Sequence, residues 1–177
     1  MIIGKKHLHY KKIDSTSEEA RRLIKKGFGE GLIVTAGAQT KGKGKPGSRW
    51  ISPKGNLYFS AVVKPYKNPK DLAPITLLGA LAARAMISKV AKLAVVIKWP
   101  NDLCIHGKKV GGVLTERLPS GHLIIGIGIN VAVSPRELKG RATSLKAESQ
   151  KSFPLKRCIE ILSRELNREY LAYLSKV

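Results

Sequence analysis

Between Val95 and Val133 the chain is one short apolar strand after another, separated by turn residues, and this run constrains the fold more than any other feature. Val95–Trp99 is apolar and β-branched and ends in the turn Pro100-Asn101-Asp102. Leu103–Ile105 and Lys109–Glu116 follow as a hairpin about His106-Gly107-Lys108, and Leu118-Pro119-Ser120-Gly121 turns the chain into His122–Val133. Strands joined by such short turns pair as hairpins. Earlier strands are expected at Leu8–Ile13, Leu32–Ala38 and Leu57–Val63. A short helix starts at the N-capping run Asp14-Ser15-Thr16-Ser17 and carries Ala20, Leu23 and Ile24 on one face. Asp71 caps a long helix to about Val90, in which Leu77, Leu78, Leu81, Ala82, Ala85 and Met86 recur at helical spacing. A last helix runs from about Pro154 to Leu174, with Leu155, Ile159, Leu162, Leu166 and Tyr170 on one side. Strands outnumber helices and cluster in the middle, so the class is α+β: a mostly antiparallel or mixed central sheet flanked by helices. With no internal repeat or linker, residues 1–177 form one domain.

Charge narrows the partners. The chain carries 33 Lys plus Arg against 12 Asp plus Glu, a net +21 spread along its whole length rather than gathered in a tail. Such a field draws anions: nucleic acid, an anionic membrane, nucleotide phosphates or an acidic protein. The apolar runs Leu77–Met86 and Leu123–Val133 are too short or too interrupted by glycine to span a bilayer. Lys5 and Lys6 follow Met1-Ile2-Ile3 at once, with no apolar core of signal-peptide length. Cys104 and Cys158 read as buried thiols rather than a disulfide, so a cytoplasmic protein is expected.

Four segments carry chemistry. Gln39-Thr40-Lys41-Gly42-Lys43-Gly44-Lys45-Pro46-Gly47-Ser48-Arg49-Trp50 interleaves glycines, which bring backbone N–H groups close to an anion, with cations that neutralise it. It lacks the spacing of a Walker loop, and read alone it is equally a solvated loop or a strip for single-stranded nucleic acid. Lys98-Trp99-Pro100-Asn101-Asp102 ends an apolar strand with a carboxylate, an amide and a lysine able to hold Mg²⁺ and a phosphate. The competing reading is a turn whose Asn and Asp bond their own backbone. Gly107-Lys108-Lys109-Val110-Gly111-Gly112 places a lysine in a Gly-rich apolar strand, where a plain hairpin edge is the alternative. In Gly126-Ile127-Gly128-Ile129-Asn130 two glycines share one strand face, leaving room for something against the backbone or marking a bulge.

In this order the segments resemble the catalytic domain of biotin–protein ligases, over nearly the whole chain. Lys-Trp-Pro-Asn-Asp paired with Gly-Ile-Gly-Ile-Asn carries the likeness most specifically, a pair that lipoate ligases and octanoyltransferases of the same fold generally lack. The resemblance implies a class II aminoacyl-tRNA synthetase/biotin synthetase-like fold. It implies that biotin is activated by ATP to biotinyl-5′-AMP with release of pyrophosphate, then transferred to a lysine of a biotin carboxyl carrier domain of a carboxylase. It puts Ser15, Thr16, Ser17 and Gln39 on biotin, with Gly42, Lys43, Gly44 and Lys45 in a loop closing over biotin and the adenylate. Lys109 and Gly112 join the biotin site, and Lys109 and Lys43 are the catalytic cations. Lys45, Trp50, Lys98 and Asn130 are implied on the nucleotide side, and Asp102 on Mg²⁺. The chain departs from the family pattern at four positions. Lysines replace the usual arginines at 43 and 45, Ser17 replaces an Asn, and Ser48 a base. A winged-helix DNA-binding domain and a C-terminal SH3-like domain are expected to be absent, so no specific DNA binding and no membrane partner is expected, while a homodimer stays open. Three readings compete: a lipoate-type protein ligase, a basic nucleic-acid-binding module, and an adenylate-binding sensor that transfers poorly.

Overall fold

The computed structural model describes residues 1–66, 69–134, 136–138 and 142–176. Seven strands form one sheet: β1 (Lys6–Tyr10), β2 (Leu32–Ala36), β3 (Leu57–Val63), β4 (Val96–Lys98), β5 (Asp102–Ile105), β6 (Lys108–Arg117) and β7 (Leu123–Ile129). Their order across the sheet is β1-β2-β3-β7-β6-β5-β4. Every pairing is antiparallel except β1 with β2, whose connection passes through helix α1 (Thr16–Lys25). The expected mixed, mostly antiparallel sheet is thus the observed one.

Alternation along β7 divides the molecule into two layers. Leu123, Ile125, Ile127 and Ile129 face the main core, beneath α2 (Ala73–Ala91) and α4 (Leu155–Leu174). Ile124 faces the opposite side, where α1 lays Ala20 and Leu23 against Leu32 and Val34 of β2. Gly79 lets α2 lie directly on β6 and β7, because a Cβ there would come within 2.8 Å of Val113 Cγ1 and 3.0 Å of Ile125 Cγ2. α2, 19 residues long as its expected span to about Val90 implied, could by length and composition cross a membrane. It is instead a core helix, with Ile75, Ala80, Met86 and Ile87 fully buried against the sheet and α4.

Several boundaries move for identifiable reasons. β1 begins earlier than expected and ends at Tyr10; Ile13 makes only an isolated bridge to Gln39. The N-cap of α2 is Leu72, with Asp71 Oδ1 accepting a 2.9 Å bond from the Ala73 N–H just inside the helix. β7 stops at Ile129 because the N–H groups of Val131, Ala132 and Val133 all turn onto Asn56 Oδ1, at 2.7, 3.0 and 3.2 Å. A short helix not foreseen, α3 (Leu145–Ser149), is capped by Ser144. Both cysteines are free thiols.

Candidate active site

On the face of β6 and β7 away from α2, three glycines leave the sheet without side chains: Gly112, Gly126 and Gly128. A cavity of about 340 Å³ opens above them. The N-terminus of α1 walls one side through Ser15, Thr16 and Ser17, and the Gly/Lys loop overhangs it through Lys43, Gly44, Lys45, Ser48, Arg49 and Trp50. Asn101, Asp102 and Lys109 close the far side, with Asn130, Leu138 and Ala142 at the end.

The deep end is organised by a chain of hydroxyls and one amide. Ser60 donates to Thr16 Oγ1 at 2.8 Å, so its 3.0 Å contact with Ser17 is one in which Ser17 donates. Thr16 donates through both its hydroxyl (3.1 Å) and its backbone N–H (2.8 Å) to Gln39 Oε1. Gln39 Nε2 passes the chain to Ser52 Oγ at 3.0 Å, and Ser52 donates to the Trp50 carbonyl at 2.9 Å. Every proton in this series points away from Ser17, whose oxygen keeps its acceptor capacity. Gly126 makes room for that oxygen, which would lie 2.9 Å from any Cβ there. Burial pushes the neighbouring Tyr58 hydroxyl, which donates to the Pro53 carbonyl at 2.7 Å, up to about 12.

Above the glycine floor the arrangement is different. Trp50 lies flat on the sheet glycines: a Cβ on Gly128 would come within 2.7 Å of its Cε2 and Nε1, and one on Gly112 within 3.3 Å of its Cζ3. The room that the glycines leave is therefore filled by a side chain of the loop itself. Trp50 Nε1 is sealed from solvent without a hydrogen-bond partner. Lys109 Nζ sits 5.4 Å from the Trp50 ring centroid, within cation–π range, and 2.7 Å from Asp102 Oδ1.

Lys43 is held otherwise. Its ammonium contacts Glu18 of α1 and lies 3.0 Å from Glu116 Oε1 of β6. The Lys43 hydrogen bond holds the Glu18 carboxyl below its usual range. For Lys43 itself, partial burial works to lower the value, but bonds to Glu18 and Glu116 outweigh it and the net direction is upward.

Of the residues expected at the site, Ser15, Thr16, Ser17, Gln39, Lys43, Gly44, Lys45, Trp50, Asp102, Lys109, Gly112 and Asn130 line this one cavity. Two do not. Gly42 is buried behind the wall, where its carbonyl accepts the Trp50 N–H at 3.0 Å. Lys98 ends the edge strand β4 and stays exposed outside the cavity. Asn130 reaches the wall, yet its Nδ2 is engaged with the Thr143 carbonyl at 3.0 Å, closing the loop after β7. No site role was expected for Ser52, Ser60, Glu18 or Glu116. Ser60 was detectable as the one small polar residue in a strand of apolar and aromatic side chains, and the two glutamates by the scarcity of acids in so basic a chain. Among the described residues no three His, Cys, Asp or Glu side chains gather as a metal site. A cation here would rest on Asp102 and on oxygens brought by a substrate, which is how Mg²⁺ is commonly bound. Asp102 lines the cavity wall and fits that use through the carboxylate oxygen that Lys109 does not hold.

A mixed sheet with helices on both faces thus carries a glycine-floored cavity roofed by a basic loop. The chain matches the biotin/lipoate A/B protein ligase family over residues 10–130, and it belongs to that family. It is 37% identical over 155 residues to the bifunctional ligase/repressor BirA of Bacillus subtilis, covering 81% of this chain and 47% of that protein. It is 35% identical to the biotin–[acetyl-CoA-carboxylase] ligase of Paracoccus denitrificans over 69% of this chain and 53% of that one. The chain thus spans about half the length of these curated relatives. Among solved structures, the biotin protein ligase of Aquifex aeolicus in complex with biotin and ATP superposes with a TM-score of 0.86 at 34% identity, over 97% of this chain and 73% of that one. The biotin protein ligase of Leishmania major in complex with biotinyl-5-AMP superposes at 0.75 and 31% identity, over 92% of this chain and 73% of that one.

Proposed function

We propose that this chain is an ATP-dependent biotin–protein ligase, which joins biotin to AMP and then transfers the biotinyl group to a lysine of a carboxylase carrier domain. One observation carries the reading. A single cavity combines a polar deep end at Ser15–Ser17 and Gln39 with a cationic mouth at Lys45 and Lys109, on the fold of a ligase solved with biotin and ATP.

The chemistry follows from that pairing. A carboxylate must approach the α-phosphate of ATP, and two anions repel. Lys109 and Lys45 lower that repulsion most where charge crowds in the transition state. Ser15, Thr16, Ser17 and Gln39 hold the ring end of biotin, with hydroxyl and amide groups already ordered by their mutual bonds. Trp50 and Asn130 flank the nucleotide. Asp102 would hold a Mg²⁺, whose charge would neutralise the phosphates. The mixed anhydride then waits beneath the Gly/Lys loop, shielded from water until an acceptor ε-amine attacks its carbonyl and AMP leaves. No enzyme nucleophile is required. An acidic acceptor suits the +21 charge, which would speed their encounter.

The test is biotin-dependent exchange of labelled pyrophosphate into ATP, followed by addition of a carrier domain. Biotin should drive exchange and label the carrier, while lipoate and octanoate should do neither. Exchange with lipoate at a similar rate would overturn the assignment, and tight salt-sensitive DNA binding without ATP turnover would favour the nucleic-acid reading.

A further inference from the structure

In a chain with 33 basic and 12 acidic residues, two of the acids meet over one lysine of the Gly/Lys loop. Glu18 comes from the first turn of α1, Glu116 from the far end of β6, and Lys43 from the loop that roofs the cavity. Arg21 completes the group, 3.0 Å from Glu116 Oε1 and 3.6 Å from Glu18 Oε1. Two cations and two anions alternate, so the cluster is locally neutral on a strongly basic protein. Surface pairs taken singly contribute little, but a network that ties three separate elements together resists rearrangement more than its members alone. Glu116 is half-buried, which limits screening of its contacts, and its Oε2 is sealed from solvent without a hydrogen-bond partner.

The loop is built to transmit this restraint. Lys43 pairs with Arg49 in an isolated antiparallel bridge; Gly44 N–H donates to the Ser48 carbonyl at 3.3 Å and Trp50 N–H to the Gly42 carbonyl at 3.0 Å. Fixing Lys43 therefore fixes the small hairpin that sets Trp50 on the Gly112/Gly128 floor.

We propose that Glu18 and Glu116 are positioning residues that hold Lys43 as a strut, so that Lys43 sets the closure of the loop through them instead of acting on the phosphates. The proposal deepens the ligase reading and rests on it for the consequence in catalysis, but the strut itself is measurable without any substrate. Hydrogen exchange at the Gly44 and Trp50 amides reads loop opening directly. Glu18→Gln, Glu116→Gln and Lys43→Met should each lower protection there by about threefold to tenfold. Lys43→Met combined with Glu116→Gln should lower it little further than Lys43→Met alone, and Lys43→Arg should largely preserve it. Release of biotinyl-AMP from the loaded protein then separates the two roles by sign. A strut predicts that Glu116→Gln speeds release as Lys43→Met does. A phosphate-gripping Lys43 predicts that Glu116→Gln frees the lysine and slows release. Unchanged protection in the glutamate variants, or slower release in Glu116→Gln, would overturn the proposal. Failure of the wild type to form adenylate would instead refute the ligase reading and leave the exchange result to decide on the strut.

Discussion

Gly128→Ala tests the contact on which the cavity floor depends. A methyl group at this position would stand 2.7 Å from Trp50 Cε2 and Nε1 and 3.0 Å from Cζ2, where carbon atoms prefer about 3.5–4.0 Å. The Trp50 ring must therefore rise by roughly 1 Å or swing off the floor. The backbone gives no reason for strain, since Gly128 is not among the residues with positive φ. Overpacking of this kind costs about 1–3 kcal/mol, offset by about 0.4–1 kcal/mol from the smaller unfolded-state entropy of alanine. The expected net loss is about 0.5–2 kcal/mol, with Tm falling by about 2–4 °C per kcal/mol in a chain of this size. Trp50→Ala removes the obstacle, so in that background Gly128→Ala should be neutral or slightly stabilising. The assay is urea unfolding of all four members of the double-mutant cycle by circular dichroism, with Trp50 emission followed in the two that keep it, since the other tryptophan, Trp99, is already 68% exposed. Gly128→Ala should shift the Trp50 contribution toward that of a solvated indole. An equal loss of stability with and without the Trp50 ring would refute the reasoning, because the cost would then come from the strand and not from the contact.

Lys109→Ala should slow single-turnover formation of biotinyl-AMP by about 30- to 1,000-fold, corresponding to about 2–4 kcal/mol of transition-state stabilisation, while the fold persists; a wild-type rate would reduce Lys109 to a hairpin lysine. Asp14 provides a pH test. Hydrogen bonds from Arg22, at 2.7 and 2.9 Å, lead the causes that bring its carboxyl down to about 2. A depressed carboxyl contributes stability that is full above its unfolded value of about 3.9 and is lost as pH falls through its folded value. The stability difference between wild type and Asp14→Asn should therefore be constant from neutral pH to about pH 5 and shrink as pH approaches 2; a difference that held unchanged in acid would show that the ion pair is not its source.

The sequence alone determined the class of this fold and most of the membership of its site. Strand alternation, turn residues and helical spacing are local signals, so β3, the β5–β6 hairpin and the long helices could be read one segment at a time. The motifs from Ser15 to Asn130 identified residues that meet in one cavity because each lies at an element end or on a glycine-bared strand face, where the local pattern already fixes which way a group points. What the sequence could not determine were the partners made across elements. That β1 runs parallel to β2, that Asn56 collects three N–H groups from the end of β7, and that Asn130 bonds the Thr143 carbonyl all depend on the register of strands distant in sequence. The same holds for Trp50 filling the space above Gly128, for Lys43 turning toward Glu18 and Glu116, and for Lys98 falling outside the cavity at the sheet edge. A lysine in a glycine-rich loop looks the same in sequence whether its charge meets a phosphate or a carboxylate. Only the packing of α1 and β6 around the loop brings two acids within reach, and that proximity is a sum over the whole tertiary structure.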